Sequence, residues 1–312
     1  MRGASTLLAL AVFAIAVGLP CSAPAWETGS RGLVTVEYDE QDALAAERVL
    51  EIASEAALRL HREMGVDEPD PVRIVIAPDE VTFADLTGGA VPEWGVGVAY
   101  SSRSLIVLRS PRIIEYPLAL GQIVVHELAH VATHRGLGSI HAPRWFHEGV
   151  AMMSAGEWRL GDLDAMVARV GGGGAIPLDD LVSSFPYDSS DAGAAYVQSF
   201  FAVNHLAEES GIGTAPGVVR AIAAAGSFDE GIRQLTGMSR AQFQSDVISA
   251  MGRSYSLPLL LRSGTLLFVG VALLVIVAAV LKIKSARRRM HALSGDDSEP
   301  PRWRAGTDSS WQ

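Results

Sequence analysis

Two histidines four residues apart bracket a glutamate in the run His126-Glu127-Leu128-Ala129-His130. On a helix, positions i and i+4 share a face, so both imidazoles can reach one ion. Neutral imidazole is a good ligand for Zn²⁺, and Glu127, one helical step aside, can take a proton from an attacking water without ligating. Histidines on a solvated face are the competing explanation. The flanks Ile123-Val124-Val125 and Val131-Ala132 argue against it, because they mark a largely buried helix. Buried imidazoles and a buried carboxylate need partners, and a metal ion supplies them.

A catalytic zinc site usually takes three protein ligands and keeps one position open. A histidine further along the same segment, as in the metzincins, would need glycine three and histidine six residues after His130. Those positions hold Thr133 and Gly136, so that pattern fails. The other source is the following segment, Pro143-Arg144-Trp145-Phe146-His147-Glu148-Gly149-Val150-Ala151, which offers Glu148 and, next to it, His147.

An HExxH helix followed by Trp-x-x-Glu-Gly-x-Ala resembles the gluzincin metallopeptidases, specifically the peptidase MA-like group, and is similar in outline to thermolysin and the zinc aminopeptidases. The resemblance implies one Zn²⁺ ion held by His126, His130 and Glu148, with Glu127 as general base; it favours Glu148 over His147 by position. It extends loosely to the early helix, the strand at Val72, the stretch from Trp94 to Ala99 and Tyr196-Val197-Gln198-Ser199. Thermolysin-like enzymes carry an aspartate four residues after the third ligand. Here Met152 stands there, so the partner that orients a ligating histidine is not identified. No Gly-x-Met-x-Asn-type segment precedes the site, so an exopeptidase is not implied.

Tyr196 is a candidate donor to the oxyanion of a hydrolysed carbonyl, with a core aromatic as the plain alternative. The strand Gly95 to Tyr100 could hold a peptide or protein substrate along its edge. His134 extends the histidine stripe, yet sits near a helix C-terminus, where a cation is favoured anyway. These readings imply a zinc metallopeptidase, an endopeptidase in type, that hydrolyses peptide bonds. The competing function is a catalytically inactive, zinc-stabilised envelope module for binding or assembly.

The elements that must position these residues form an α+β, zincin-like chain. A mixed N-terminal sheet half (26–116) precedes a mostly helical half (117–255). Leu33 to Tyr38 and Val72 to Ala77 read as strands, and Asp42 to Met64 as a helix stopped by Gly65. Gly95 to Tyr100 and Ser104 to Leu108 read as a hairpin around Ser101-Ser102-Arg103. Helices are expected over Leu118–Arg135, Arg144–Ser154 and Ala192–Ser210. A last one starts at Ser239, where Gln242 completes a capping box. Gly171 to Gly174 reads as a loop.

The chain has 312 residues, 49% apolar and 19% charged, with a formal net charge of −10. The acidity is concentrated in 26–262, which would repel nucleic acid phosphates and excludes that partner. The lone cysteine, Cys21, allows no intramolecular disulfide. Arg2, the apolar run Leu7 to Leu19 and Ala23-Pro24-Ala25 have the order of a secretory signal over 1–25. Residues 264–281 are 18 in number without a charge, roughly 27 Å as a helix, long enough for one transmembrane span. Lys282, Lys284, Arg287, Arg288 and Arg289 follow, against Arg262 on the other flank, which puts the polar tail 282–312 in the cytoplasm and the domain 26–255 outside. The expected location is a membrane-anchored, extracytoplasmic domain.

Overall fold

The computed structural model describes residues 26–89, 91–92, 95–157, 174–186, 189–262, 273–279 and 281–284. The expected signal segment, Trp94 and nearly all of the cytoplasmic tail lie outside these residues, as do most of the apolar run 264–281 and of the four-glycine run. Among the described residues no helix is long and apolar enough to cross a membrane.

Five strands form one sheet in the order β1-β2-β3-β5-β4. They are β1 (Trp26–Arg31), β2 (Val34–Asp39), β3 (Val72–Ala77), β4 (Gly97–Tyr100) and β5 (Leu105–Arg109). β2, β3 and β5 run parallel, while β1 and β4 are antiparallel edges. β3 is the central strand because its sequence, Val-Arg-Ile-Val-Ile-Ala, is apolar on both faces and buried on both. The expected hairpin is present, with Val98 opposite Val107. A 3₁₀ turn over Ser101–Arg103 joins its strands, and Ser104 (φ 53°) reverses the chain.

Helices α1 (Ala43–Glu63) and α2 (Glu80–Thr87) belong to the sheet half. The helical half holds α3 (Leu120–Leu137), α4 (Arg144–Ala155), α5 (Ser189–Glu209), α6 (Ala215–Ala225), α7 (Phe228–Thr236) and α8 (Arg240–Arg262). α3 is apolar around most of its circumference, with Ile123, Val124, Leu128, Ala129, Val131 and Ala132 all buried. Such a helix must be covered on several sides. α1 covers one side and α4 another, and β4 passes alongside.

Two polar clamps fix this arrangement. Arg135, in the last turn of α3, donates to His61 Nε2 (2.7 Å), to the Asp70 carbonyl (2.8 Å) and to Ser104 Oγ (2.6 Å). It thereby ties α3 to the end of α1 and to the starts of β3 and β5. At the opposite end of the sheet, buried Asp42 accepts from Ser110 Oγ (2.6 Å) and from Arg112 Nε and Nη2 (both 2.8 Å). α4 meets α5 closely at Gly149, where a Cβ would collide with the Ser199 carbonyl oxygen and the Val203 side chain.

Candidate metal centre

α3 supplies His126, Glu127 and His130. The chain turns at Gly138 (φ 60°) and re-enters a helix at Pro143, whose fixed φ suits a helix start. That return brings Glu148, one turn into α4, against the two imidazoles. Nε2 of His126 lies 3.1 Å from Nε2 of His130. Oε2 of Glu148 stands 3.5 Å from the first nitrogen and 3.4 Å from the second. Four ligands at zinc bond lengths of 2.0–2.1 Å in a tetrahedron stand ~3.3 Å apart, so the triangle has the dimensions of three tetrahedral corners. Among the described residues these three form the cluster able to hold a metal ion. His147 lines the pocket wall and is not part of it.

The chemistry of the donors agrees with the distances. Three electron-pair donors in van der Waals contact repel one another unless a cation or proton lies between them. Burial lowers the affinity of His126 for a proton, but the Glu148 and Glu157 carboxylates outweigh that and raise its pKa well above the usual value. For Glu148 burial acts upward, yet His130 and His126 hold the carboxyl well below its usual range. The cluster is therefore built to receive positive charge, and an N₂O donor set with an open fourth position suits zinc.

Two residues the sequence did not single out complete the surroundings. Glu157, just beyond Gly156 at the end of α4, brings Oε1 to 2.9 Å from His126 Nδ1. Both atoms are buried without another hydrogen-bond partner, and the contact is short in distance although not aligned along the N–H direction. With Nδ1 on the Glu157 side, the ring presents Nε2 to the cluster. Arg144 donates from Nε to Glu148 Oε1 at 3.1 Å, leaving Oε2 to the imidazoles. The place of Arg144 one turn before Glu148 was the available signal for it. Nothing in the spacing marked Glu157.

Glu127 is buried and packs against the edge strand. A Cβ at Gly97 would lie 3.1 Å from its Oε1 and 2.7 Å from Leu108 Cδ2, so the glycine leaves room for the carboxylate. Burial raises the Glu127 carboxyl above its usual pKa, opposed by His126 and His130. Tyr196 on α5 lines the cavities on both sides of the cluster. Burial pushes its phenol up, and its ring meets Phe185 edge-on at 5.0 Å while its hydroxyl interacts with Arg144. Burial also pushes His147 down to about 4, which keeps that ring neutral. His134 is exposed on the wall of the larger cavity.

A sheet with an antiparallel edge strand beside an HExxH helix, and a glutamate from the next helix facing its histidines, defines a zincin-like fold with a gluzincin-type site. The chain belongs to the Peptidase MA superfamily, whose sequence pattern matches residues 52–248. It is similar to the uncharacterized protein YhcO of Bacillus subtilis (strain 168), at 26% identity over 155 residues. That similarity covers 45% of this chain and 46% of the relative, so the chain spans about half the length of that protein. Among solved structures it is similar to native yeast LTA4 hydrolase and to that enzyme in complex with bestatin, each at 14% identity. The TM-scores are 0.39 and 0.38, with 75% and 74% of this chain covered and 37% of each hydrolase chain. Family membership implies zinc and a metallopeptidase-type protein.

Proposed function

We propose that the protein is a zinc-dependent peptidase that hydrolyses peptide bonds, with one ion held by His126, His130 and Glu148. The observation that carries this reading is the 3.1–3.5 Å triangle of two imidazole nitrogens and a carboxylate oxygen, with Glu127 beside it. Bound there, zinc acidifies water and polarises a carbonyl. Glu127 accepts the water proton and returns it to the leaving amine; a carboxylate made more basic by burial suits that task. Tyr196 donates to the developing oxyanion. An extended peptide adds to the edge strand β4, with Gly97, Val98 and Ala99 along the cavity wall. This mode serves internal peptide bonds, which favours an endopeptidase. The apolar run 264–281 and the cations after it support a single membrane anchor with the peptidase domain outside.

The test is digestion of a broad peptide library by zinc-loaded protein, by chelated protein and by the Glu127→Gln variant. Cleavage should require zinc and disappear in the variant, which should still bind zinc. Equal turnover by Glu127→Gln would end the reading.

A further inference from the structure

Arg109 closes β5, a strand otherwise made of Leu-Ile-Val-Leu, and carries a permanent charge inward: its side chain is 5% exposed. Burying a guanidinium is costly unless its donors are taken up. Nε meets Glu80 Oε2 at 3.1 Å, and Nη1 donates to the carbonyls of Pro92 (3.2 Å) and Gly95. The guanidinium also lies over the Phe83 ring, 4.0 Å from its centroid. Glu80 is 60% exposed, so that ion pair contributes little. The charge-assisted bonds to the two carbonyls carry more weight. Both carbonyls belong to the chain entering β4. There the Gly95 amide turns back to the Pro92 carbonyl, and the Arg109 amide takes the Val96 carbonyl, each at 2.9 Å. Gly95, Val96 and Gly97 in turn form part of the wall of a cavity of about 230 Å³ on which His126, Glu127 and Tyr196 also stand. Two of those three residues are glycines, whose backbone no side chain restrains. Their conformation is held from behind the wall, by Arg109.

We propose that Arg109 is a positioning residue for substrate: it holds the entry of β4 in one conformation, ready to receive a peptide. The proposal rests on the hydrolase reading and adds to that site a residue that acts through the backbone it holds. A peptide pairing antiparallel with β4, the slightly more stable orientation, runs from the Tyr100 end toward Gly95. Residues after the cleaved bond then lie along Val96 and Gly95. A wall already ordered spares the complex the entropy of ordering it, whereas a glycine-rich entry without Arg109 has to be ordered on binding. Gly97 to Tyr100 stay paired with Leu105 to Leu108 whatever side chain stands at position 109, so Glu127 keeps its surroundings. Arg109 therefore acts on the binding of the C-terminal part of the substrate and leaves the chemical step alone.

The test uses the full zinc-loaded chain and its Arg109→Met, Arg109→Lys and Glu80→Gln variants, with zinc content and thermal midpoint measured for each. Each is given a cleaved peptide and the same peptide lengthened after the cleaved bond. In the parent the longer peptide should have a KM about tenfold lower. In Arg109→Met that advantage should shrink to about twofold or less, while kcat on the short peptide stays within about twofold of the parent. Arg109→Lys keeps the charge without the fork and should lie between. Glu80→Gln leaves the carbonyl bonds in place and should match the parent. A merely structural arginine would lower the thermal midpoint and leave the length advantage intact. A parent without that advantage, or an advantage that survives Arg109→Met, overturns the proposal. If Arg109→Met does not fold, an undiminished advantage in Arg109→Lys overturns it. Hydrogen exchange reads the hold without turnover. The amides of Gly95 and of residue 109 should exchange at least about tenfold faster in Arg109→Met, with Val75 and Ile76 of β3 unchanged. Equal exchange at Gly95 overturns the proposal. A parent that cuts neither peptide refutes the hydrolase reading, and the exchange result then decides the role of Arg109 by itself.

Discussion

Glu148 divides its two oxygens: Oε1 accepts from Arg144 Nε at 3.1 Å, and Oε2 is left to the imidazoles. The guanidinium, one turn earlier on the same helix, thus fixes which oxygen the metal centre receives. Groups that orient ligands in this way typically contribute 10–100-fold in metal affinity. Arg144→Met should therefore weaken zinc binding by about that factor, read by competition with a chromophoric chelator. The thermal midpoint of the metal-free protein should barely move, because the Arg144 side chain is 43% exposed.

Glu127 is not one of the three residues of the metal cluster, and its proposed task is proton transfer. Glu127→Gln is expected to keep the zinc content of the parent while kcat falls about 10²–10⁴-fold. Parallel zinc analysis and peptide cleavage measure both quantities on one sample.

Gly149 stands where α4 crosses α5, and an added methyl would strike the Ser199 carbonyl oxygen and Val203. Gly149→Ala must push the helices apart, which should cost about 1–3 kcal/mol as overpacking does. Urea denaturation would detect it as a lower midpoint. The same displacement moves Glu148, so zinc affinity should fall with stability.

His61 is fully buried, its Nδ1 facing the Ala57 carbonyl at 2.6 Å and its Nε2 accepting from Arg135. Burial lowers its pKa, and the nearby Arg135 charge adds to that. The unfolded chain therefore binds a proton near pH 6.5 that the folded chain refuses. The stability that His61 contributes is complete above that pH and declines as pH falls below it. The limiting slope is about 1.4 kcal/mol per pH unit. Between pH 7.5 and 5.5 the parent should lose more stability than His61→Gln, as measured by denaturant midpoints. Equal losses would show that His61 does not carry this dependence.

Much of this was legible in the sequence where local pattern and tertiary environment agree. The strand Val72–Ala77 is legible with its observed bounds, and α3 and α4 within two residues, because apolar spacing and Pro143 mark them; Gly136, the expected stop of α3, lies inside the helix, which ends at Gly138. β1 was not read: Trp-Glu-Thr-Gly-Ser-Arg has no alternation, and almost all of it is exposed, so pairing with β2 alone makes it a strand. α2 was missed because its eight residues bury little besides Phe83 and Thr87. The metal cluster was legible because i, i+4 spacing is a local rule. Glu157 was not, since only the chain reversal at Gly156 brings it back to His126.

The central claim is that two imidazoles of α3 and the carboxylate of α4 hold one zinc ion. X-ray absorption at the zinc edge on the zinc-loaded full chain measures this directly. The account predicts one zinc per chain bound by two imidazole nitrogens and a carboxylate oxygen, with that signature lost in His130→Ala and altered in Glu148→Gln. Zinc whose coordination is the same in both variants as in the parent would contradict it.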